Sequence, residues 1–480
     1  MYGIDLIHRS IIRRLPVCLW CGLLVVVWAS GETCWSGESA PSEPAQSSVD
    51  LSSPNVPQSK GAFLGYDAAV RIALDRHPLL RHSKETALAA EAVTDQAMAR
   101  YYPELNAYAI QTVGTIRPLS GFNVAGAQNK PSSYVENAGF LADQLIYDFG
   151  QTAHKLLAER AGQRAAENDI LTHKARVILR VQQAYIHCLR QKRFVDIAEE
   201  TVRERGILRD QVAALYKREL KSKLDVNFIS VELRNAEVQL LQAKNELRAA
   251  FAELNNAMGV RGSEDYTLEE LPAISAMSDT LETLISYSLG DRPELLSSDD
   301  RIKQADERLS SAQASNFPSI SAQGMSGVIH FSDAPVNQYG GAHSGQTNLW
   351  WGVGGMVSVP IFTGFLIENS VAETRQQKYK IEQKKRDLSN RIALEVMDAY
   401  LALQAARQQI LVEEKEVASA RSALTLASER YRLRLASIVD ITQATTALFM
   451  AEFRLIDTRY GLQSAMVALA YATGQAYQNF

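Results

Sequence analysis

Apolar residues recur every three or four positions along most of this chain, and in short windows every two. Residues 66–100 and 281–315 are Ala-rich with helical spacing, and each run stops at an aromatic-proline pair, Tyr102-Pro103 or Phe317-Pro318. Proline lacks the helix donor and pushes the preceding residue out of the helical region. Past each pair the period becomes two: Ile320, Ala322, Gly324 and Val328 alternate with Ser319, Ser321 and Gln323, and later Trp351, Val353, Gly355, Val357, Val359 and Ile361 fall on one face. Alternation over about ten residues suits a tilted strand crossing a bilayer. Gly-, Ser- and Asn-rich loops at 115–133 and 332–346 separate the strands of each pair. Tyr134, Phe331, Trp350 and Trp351 sit where strand meets loop, the place of a membrane-interface aromatic girdle.

After the second strand of each pair the helical period runs unusually far, from 151 to about 218 and from 366 to about 433, which at 1.5 Å per residue is roughly 100 Å. Steps of four and three in the later stretch give Ile392, Val396, Ala399, Leu403, Ala406, Ile410, Glu413, Val417, Ala420, Leu424, Ala427 and Tyr431, a seam broken only by Glu413. The earlier seam is patchier, with Gln191, Arg205 and Arg209 among its members. A sustained seven-residue repeat rich in Ala argues for closely packed coiled-coil helices. Breaks at 217–223 and 432–438 turn the chain back into helices that Gly259 and Gly474 terminate.

These segments repeat. Pro78 and Pro293 lie 215 apart, and the same offset links Pro103 to Pro318, Tyr185 to Tyr400, Tyr216 to Tyr431, Asp225 to Asp440 and Gly259 to Gly474. The chain therefore holds two copies of one unit, 62–275 and 276–480. Gly150 and Gly364 fall one short of the offset, which suggests a one-residue slip beside a turn.

Before the repeats, His8, Arg9, Arg13 and Arg14 precede an apolar run over 15–28 and then Ala29, Ser30 and Gly31. This is the layout of a signal peptide cleaved near residue 31, and the run is shorter than a membrane-spanning helix needs. Residues 32–61, crowded with Ser and Pro, read as a disordered arm. The 50 Lys+Arg against 54 Asp+Glu leave no basic surplus for nucleic acid, and four cysteines make no disulfide framework. The eight His have no metal-ligand spacing, and no nucleophile elbow, Walker loop or Cys/His cluster is present. Catalytic residues, metals and cofactors are not expected.

Closure then decides the architecture. Four membrane strands cannot make a barrel without edges, which needs about eight, so chains must pool their strands. The rival is a periplasmic or secreted coiled-coil scaffold without a pore.

Residues 62–476 resemble the TolC-type outer-membrane efflux proteins. The resemblance is carried by the two repeats, the paired strands, the strand ends Gln144-Leu-Ile-Tyr-Asp-Phe-Gly150 and Val359-Pro-Ile-Phe-Thr-Gly364, and the hairpin motifs running from Tyr216 to Asp225 and from Tyr431 to Asp440. It implies an α+β membrane protein, a homotrimer with a 12-strand barrel in outer-membrane lipid and a helical tunnel across the periplasm. It also implies docking to a periplasmic adaptor and an inner-membrane transporter of the RND or ABC class, for efflux or type I secretion. By resemblance, the hairpin tips dock the adaptor through Glu219, Leu220, Ser222, Arg434, Leu435 and Ser437. Family tips generally carry Gly where Glu219 and Arg434 stand, so a different tip geometry or a charged contact is expected. The resemblance also implies that a hydrogen bond between Tyr431 and Asp225 holds the entrance shut, with Ala436 where the family has a cation, and that Asp440 forms an acidic filter ring. Asp225 and Asp440 are equally suited to capping the returning helices.

Overall fold

The computed structural model describes residues 61–114, 133–262, 265–271, 280–332, 346–433 and 435–476. The expected signal peptide, the arm up to residue 60, most of both inter-strand loops and Arg434 lie outside the described residues.

Each repeat folds in one order. In the first, α1 (Tyr66–Arg76) and α2 (Pro78–Ala99) lead into strands β2 (Glu104–Gly114) and β3 (Ser133–Tyr147), then α3 (Gln151–Lys217) and α4 (Lys223–Ala257). In the second, α5 (Leu281–Asp291), α6 (Pro293–Ala314), β5 (Ser319–Ser332), β6 (Gln346–Ser358), α7 (Leu366–Arg432) and α8 (Ile438–Ala472) follow. Short strands β1 (Ala62–Leu64) and β4 (Tyr266–Leu268) pair in parallel, a bridge the alternation did not announce. The stretches read as single helices at 66–100 and 281–315 are each two. Pro78 and Pro293 begin new helices at the first helical position, where no donor is lost. His77 caps the first of these, its Nδ1 accepting from Leu79 N–H at 3.1 Å.

The expected slip beside the turn is not there. Both long helices start 215 apart, each after two left-handed residues, Phe149 (φ 53°) and Gly150 (φ 95°) in one repeat, Gly364 (φ 64°) and Phe365 (φ 65°) in the other. Both turns use two consecutive left-handed residues, and only the position of the glycine has changed.

The four long strands form one antiparallel sheet in the order β2-β3-β5-β6. Its register puts Leu105, Ala107 and Ala109 on the same face as Ala138, Phe140 and Ala142, then Gly324 and Val328, then Leu349, Trp351 and Val353. This band is apolar apart from Ser326, with Leu349, Trp351 and Val353 more than three-quarters exposed, and beyond it the same face ends in hydrogen-bonded Gln111–Glu136 and His330–Thr347 pairs. The opposite face is hydrogen-bonded. Asn137 Oδ1 accepts from Trp350 Nε1 at 3.3 Å and from Tyr108 Oη at 3.5 Å, and Gln323 Nε2 donates to Asp143 at 3.1 Å. Trp350 can lie across the sheet because Gly327 stands beneath it; a Cβ there would come within 3.2 Å of its indole nitrogen. One apolar and one polar face is the signature of a barrel wall between lipid and water. Of the expected girdle, Trp351 is exposed on the apolar face and Trp350 turns to the polar one. Tyr134 and Phe331 join the ladder, but their side chains lie outside the described ones.

The helices keep the order of the strands. Nearest the sheet α3 packs between α2 and α6, and α6 packs on α7; farther away α3 packs between α4 and α8, and α8 on α7. The main core lies where these sets meet, around Ile178, Val181, Tyr185 and Leu189 of α3 with Val70, Leu254 and Met258. There the Tyr185 hydroxyl sits between the Leu64 carbonyl and the Glu269 N–H, each at 2.9 Å, tying the parallel bridge to the long helix. Burial pushes this phenol up to about 12.

Candidate gate and docking tips

The ends of the long helices farthest from the sheet carry the residues predicted to act. At the first tip α3 closes in a Schellman turn. Glu219 N–H donates to the Tyr216 carbonyl and Leu220 N–H to the Leu215 carbonyl, both at 2.9 Å. Glu219 takes φ 60°, the left-handed conformation that glycine adopts freely and other residues at a cost of roughly 1–2 kcal/mol. Glu219 thus makes the glycine-like turn itself, so of the two expectations, a different tip geometry or a charged contact, the first is not seen at this tip. At the second tip Leu435 N–H donates to the Arg430 carbonyl at 2.8 Å, the same closing bond.

Ser222 and Ser437 cap the returning helices α4 and α8. Asp225 N–H donates to Ser222 Oγ at 3.2 Å while Asp225 Oδ2 accepts from Ser222 N–H at 3.1 Å, a full capping box. Ser437 and Asp440 repeat it, with Ser437 N–H to Asp440 Oδ2 at 2.7 Å. These bonds from Ser437 hold the Asp440 carboxyl below the usual range although it is exposed. Around the caps, Leu220, Leu224, Leu433 and Leu435 are exposed apolar side chains.

The predicted hydrogen bond from Tyr431 to Asp225 is absent. Tyr431 is buried against Val212, Ile229, Ile438 and Ile441, and its hydroxyl has no partner among the described residues. Asp225 is instead engaged by Ser222. The carboxylate is still near enough to raise the Tyr431 phenol, an effect second to burial itself. What does touch Tyr431 is Lys221, whose Nζ lies 4.1 Å from the ring centroid.

Sequence reasoning also missed Arg205. It is buried, and its guanidinium joins three helices: it donates to the Glu232 carbonyl at 2.9 Å and carboxylate at 3.0 Å on α4, and to Thr446 Oγ1 at 3.2 Å on α8. A cation in the seam looked like a flaw in the packing; the signal that could have found it is an acidic residue on the antiparallel return helix. Burial lowers this guanidinium, and Glu232 opposes the shift. Arg190 with Asp457 at 3.0 Å and a stacked Phe194–Phe453 pair, centroids 3.9 Å apart, join α3 to α8 above it.

An open sheet with one apolar face, continued strand by strand into helices of about 100 Å and repeated within one chain, defines a subunit of a membrane channel with a long helical extension. The chain belongs to the family described as Outer membrane efflux protein, whose profile matches residues 69–260 and 284–475. Those two matches are themselves displaced by 215 (284 − 69 and 475 − 260). The chain is 24% identical to the cation efflux system protein CusC of Escherichia coli O6:H1 over 69% of this chain and 70% of that one. It is also 24% identical to the outer membrane protein TolC of Vibrio cholerae over 82% of this chain and 87% of that one. The crystal structure of the Campylobacter jejuni CmeC outer membrane channel superposes with a TM-score of 0.73 at 16% identity, covering 86% of each chain. The protein is thus an outer-membrane efflux channel with a periplasmic helical section, of a family whose members are channels and not enzymes. The soluble scaffold is set aside by this membership.

Proposed function

We propose that three copies of this chain close into one conduit, a 12-strand barrel continued by a 12-helix tunnel, that carries small molecules or proteins out of the cell. The observation behind this reading is that the chain ends in the same open edges at both levels. Among the described residues, strands β2 and β6 each have one neighbour, and α7 packs mainly on α5, α6 and α8. A strand of 13 residues with one free edge, bordered by apolar surface, needs a partner on that edge, and β2 of a second copy continues the antiparallel order. Exposed Leu394, Leu401, Leu411 and Val412 on α7 would be covered by the same step.

In this reading the tips meet a periplasmic adaptor and, through it, an RND or ABC transporter of the inner membrane, in an efflux or type I secretion system. The exposed leucines support it, since Leu220, Leu224 and Leu435 project beside Glu219 at the end of the molecule. Ser222 and Ser437 then shape the tips as caps, and Glu219 and Arg434 supply charge selectivity. Asp440 serves both as cap and, in a trimer, as one of three carboxylates ringing the entrance. Photo-cross-linking from Leu220 and Leu435 in cells, with mass spectrometry of the captured chains, tests the docking. An inner-membrane pump's adaptor is expected, and its absence from both positions would refute the docking role. Detergent-extracted protein running as a monomer in native mass spectrometry would refute the trimer.

A further inference from the structure

The two tips are built alike and loaded differently. At the repeat offset Tyr216 corresponds to Tyr431, Ser222 to Ser437, Asp225 to Asp440, and Lys221 to Ala436. Both capping boxes are made, and both helices close through the same bond to the third residue from the end. Yet Tyr431 is 8% exposed and Tyr216 is 42% exposed. The cation belongs to the first tip and the buried ring to the second.

We propose that Lys221 is the cation that holds the entrance closed, by covering the ring of Tyr431 and so fastening the first hairpin to the second within one chain. The proposal rests on reading the tips as the entrance. Three features carry it. The Lys221 ammonium is 4.1 Å from the ring centroid, inside the range in which the aromatic face attracts a cation. Lys221 is partly buried and forms no ion pair among the described residues, and Glu429, which lines the same cavity, is paired with Arg432 at 2.8 Å. Tyr431 is held by its face and not by its hydroxyl, which is buried without a hydrogen-bond partner while Asp225 is occupied by Ser222.

The local fold explains how Lys221 gets there. The left-handed turn at Glu219 reverses the chain directly after α3, so that Leu220 and Lys221 line one cavity with Leu215 of α3 and with Leu424, Tyr431 and Arg432 of α7. The hairpins cannot part at this level without lifting the ammonium from the ring and returning it to water. Ala436 offers no such group to Tyr216, so each chain carries the contact once and a trimer would carry it three times.

The test is single-channel conductance of the full-length protein in planar bilayers, with each variant first confirmed as an SDS-resistant oligomer. A cation over a desolvated ring favours the closed form about fivefold per chain, so Lys221→Met should raise the open probability by about 100-fold in a trimer. Lys221→Arg and Tyr431→Phe, which keep a cation and a ring, should stay closed. Tyr431→Leu should open the channel, and adding Lys221→Met to it should change nothing more. An additional rise in that double variant would mean that Lys221 acts on passing ions, and would overturn the proposal. So would a closed Lys221→Met channel or an open Lys221→Arg channel. If Tyr431→Leu opens the channel and Lys221→Met does not, the entrance reading stands and the role of Lys221 falls; if neither opens it, both fall.

Discussion

Helices α3 and α7 are both 67 residues long and start at equivalent positions of the repeat, yet 23 residues of α3 are buried and only six of α7. The sequences predict the reverse, since the α7 seam is the more regular and the α3 seam carries Gln191, Arg205 and Arg209. Position in the layer explains this: α3 has a neighbour on each side, α7 on one. Even polar seam residues become buried in α3, where Arg205 is compensated by Glu232, while regular apolar positions of α7 remain uncovered. Burial within one chain therefore reports where a helix stands, and the pattern of its sequence reports where it will stand in the assembly.

The sharpest way to break the comparison uses one equivalent pair, Ile186 and Leu401, which are 2% and 52% exposed. An uncompensated carboxylate in the core costs more than about 4 kcal/mol, so Ile186→Asp should fail to fold and be lost from the outer membrane. Leu401→Asp, combined with Leu411→Asp, should keep its helical circular dichroism and lose the oligomer band. Equal behaviour of the two variants would remove α7 as an interface.

A second pair sharpens it. Gly259 and Gly474 end equivalent helices with φ 72° and 81°. A Cβ at Gly259 would lie 2.8 Å from His77 Cα, whereas at Gly474 the nearest atoms are 3.5 Å away. Gly259→Ala should destabilise by about 2–5 kcal/mol, backbone strain plus overpacking, and Gly474→Ala by about 1–2 kcal/mol from strain alone. Thermal melting followed at 222 nm distinguishes them.

Glu219→Gly is expected to stabilise by about 1 kcal/mol, because the turn it occupies is already glycine-like. The measurement is the melting midpoint; a drop would mean that the Glu219 side chain makes a compensating contact.

The smallest effect concerns Asp440. Its folded carboxyl titrates below the unfolded value because Ser437 bonds to the charged form, so this capping contribution is complete at neutral pH and disappears only as pH falls through the lowered value. Asp440→Asn should keep the cap and flatten that acid dependence, while cation preference, read from the reversal potential, decreases. Unchanged preference would leave Asp440 a cap alone.

Much of the architecture was legible because it is periodic. Strand alternation, the seven-residue seam and the common offset need only the spacing of side chains, and they gave the four long strands and both hairpins, while the caps read as Asp225 and Asp440 are Ser222 and Ser437, with the aspartates completing each box. Features set by backbone conformation or by partners distant in the chain were not legible. Pro78 and Pro293 were read past because proline is as welcome at a helix start as it is harmful within one. The apparent slip at Gly150 arose from treating glycine as the marker of a left-handed turn, when Phe149, Phe365 and Glu219 adopt it as well. At the tips, the sequence offsets located Tyr431 and Asp225 beside the two hairpin turns. They could not show that Ser222 would claim the carboxylate and Lys221 the ring.

Strands and helices that keep one order must share one circumference, and they do not have the same width. In the proposed trimer, twelve strands spaced about 4.8 Å apart and tilted near 40° would make a girth of about 75 Å, whereas twelve helices side by side at 8–10 Å would need about 100–120 Å. In that assembly the chain passes from the narrower ring to the wider one through the left-handed pairs Phe149-Gly150 and Gly364-Phe365. Such a sleeve is clamped at its hydrogen-bonded rim and free at its opposite hem. In the proposed trimer the tips, and not the rim, are therefore the end at which the diameter can change.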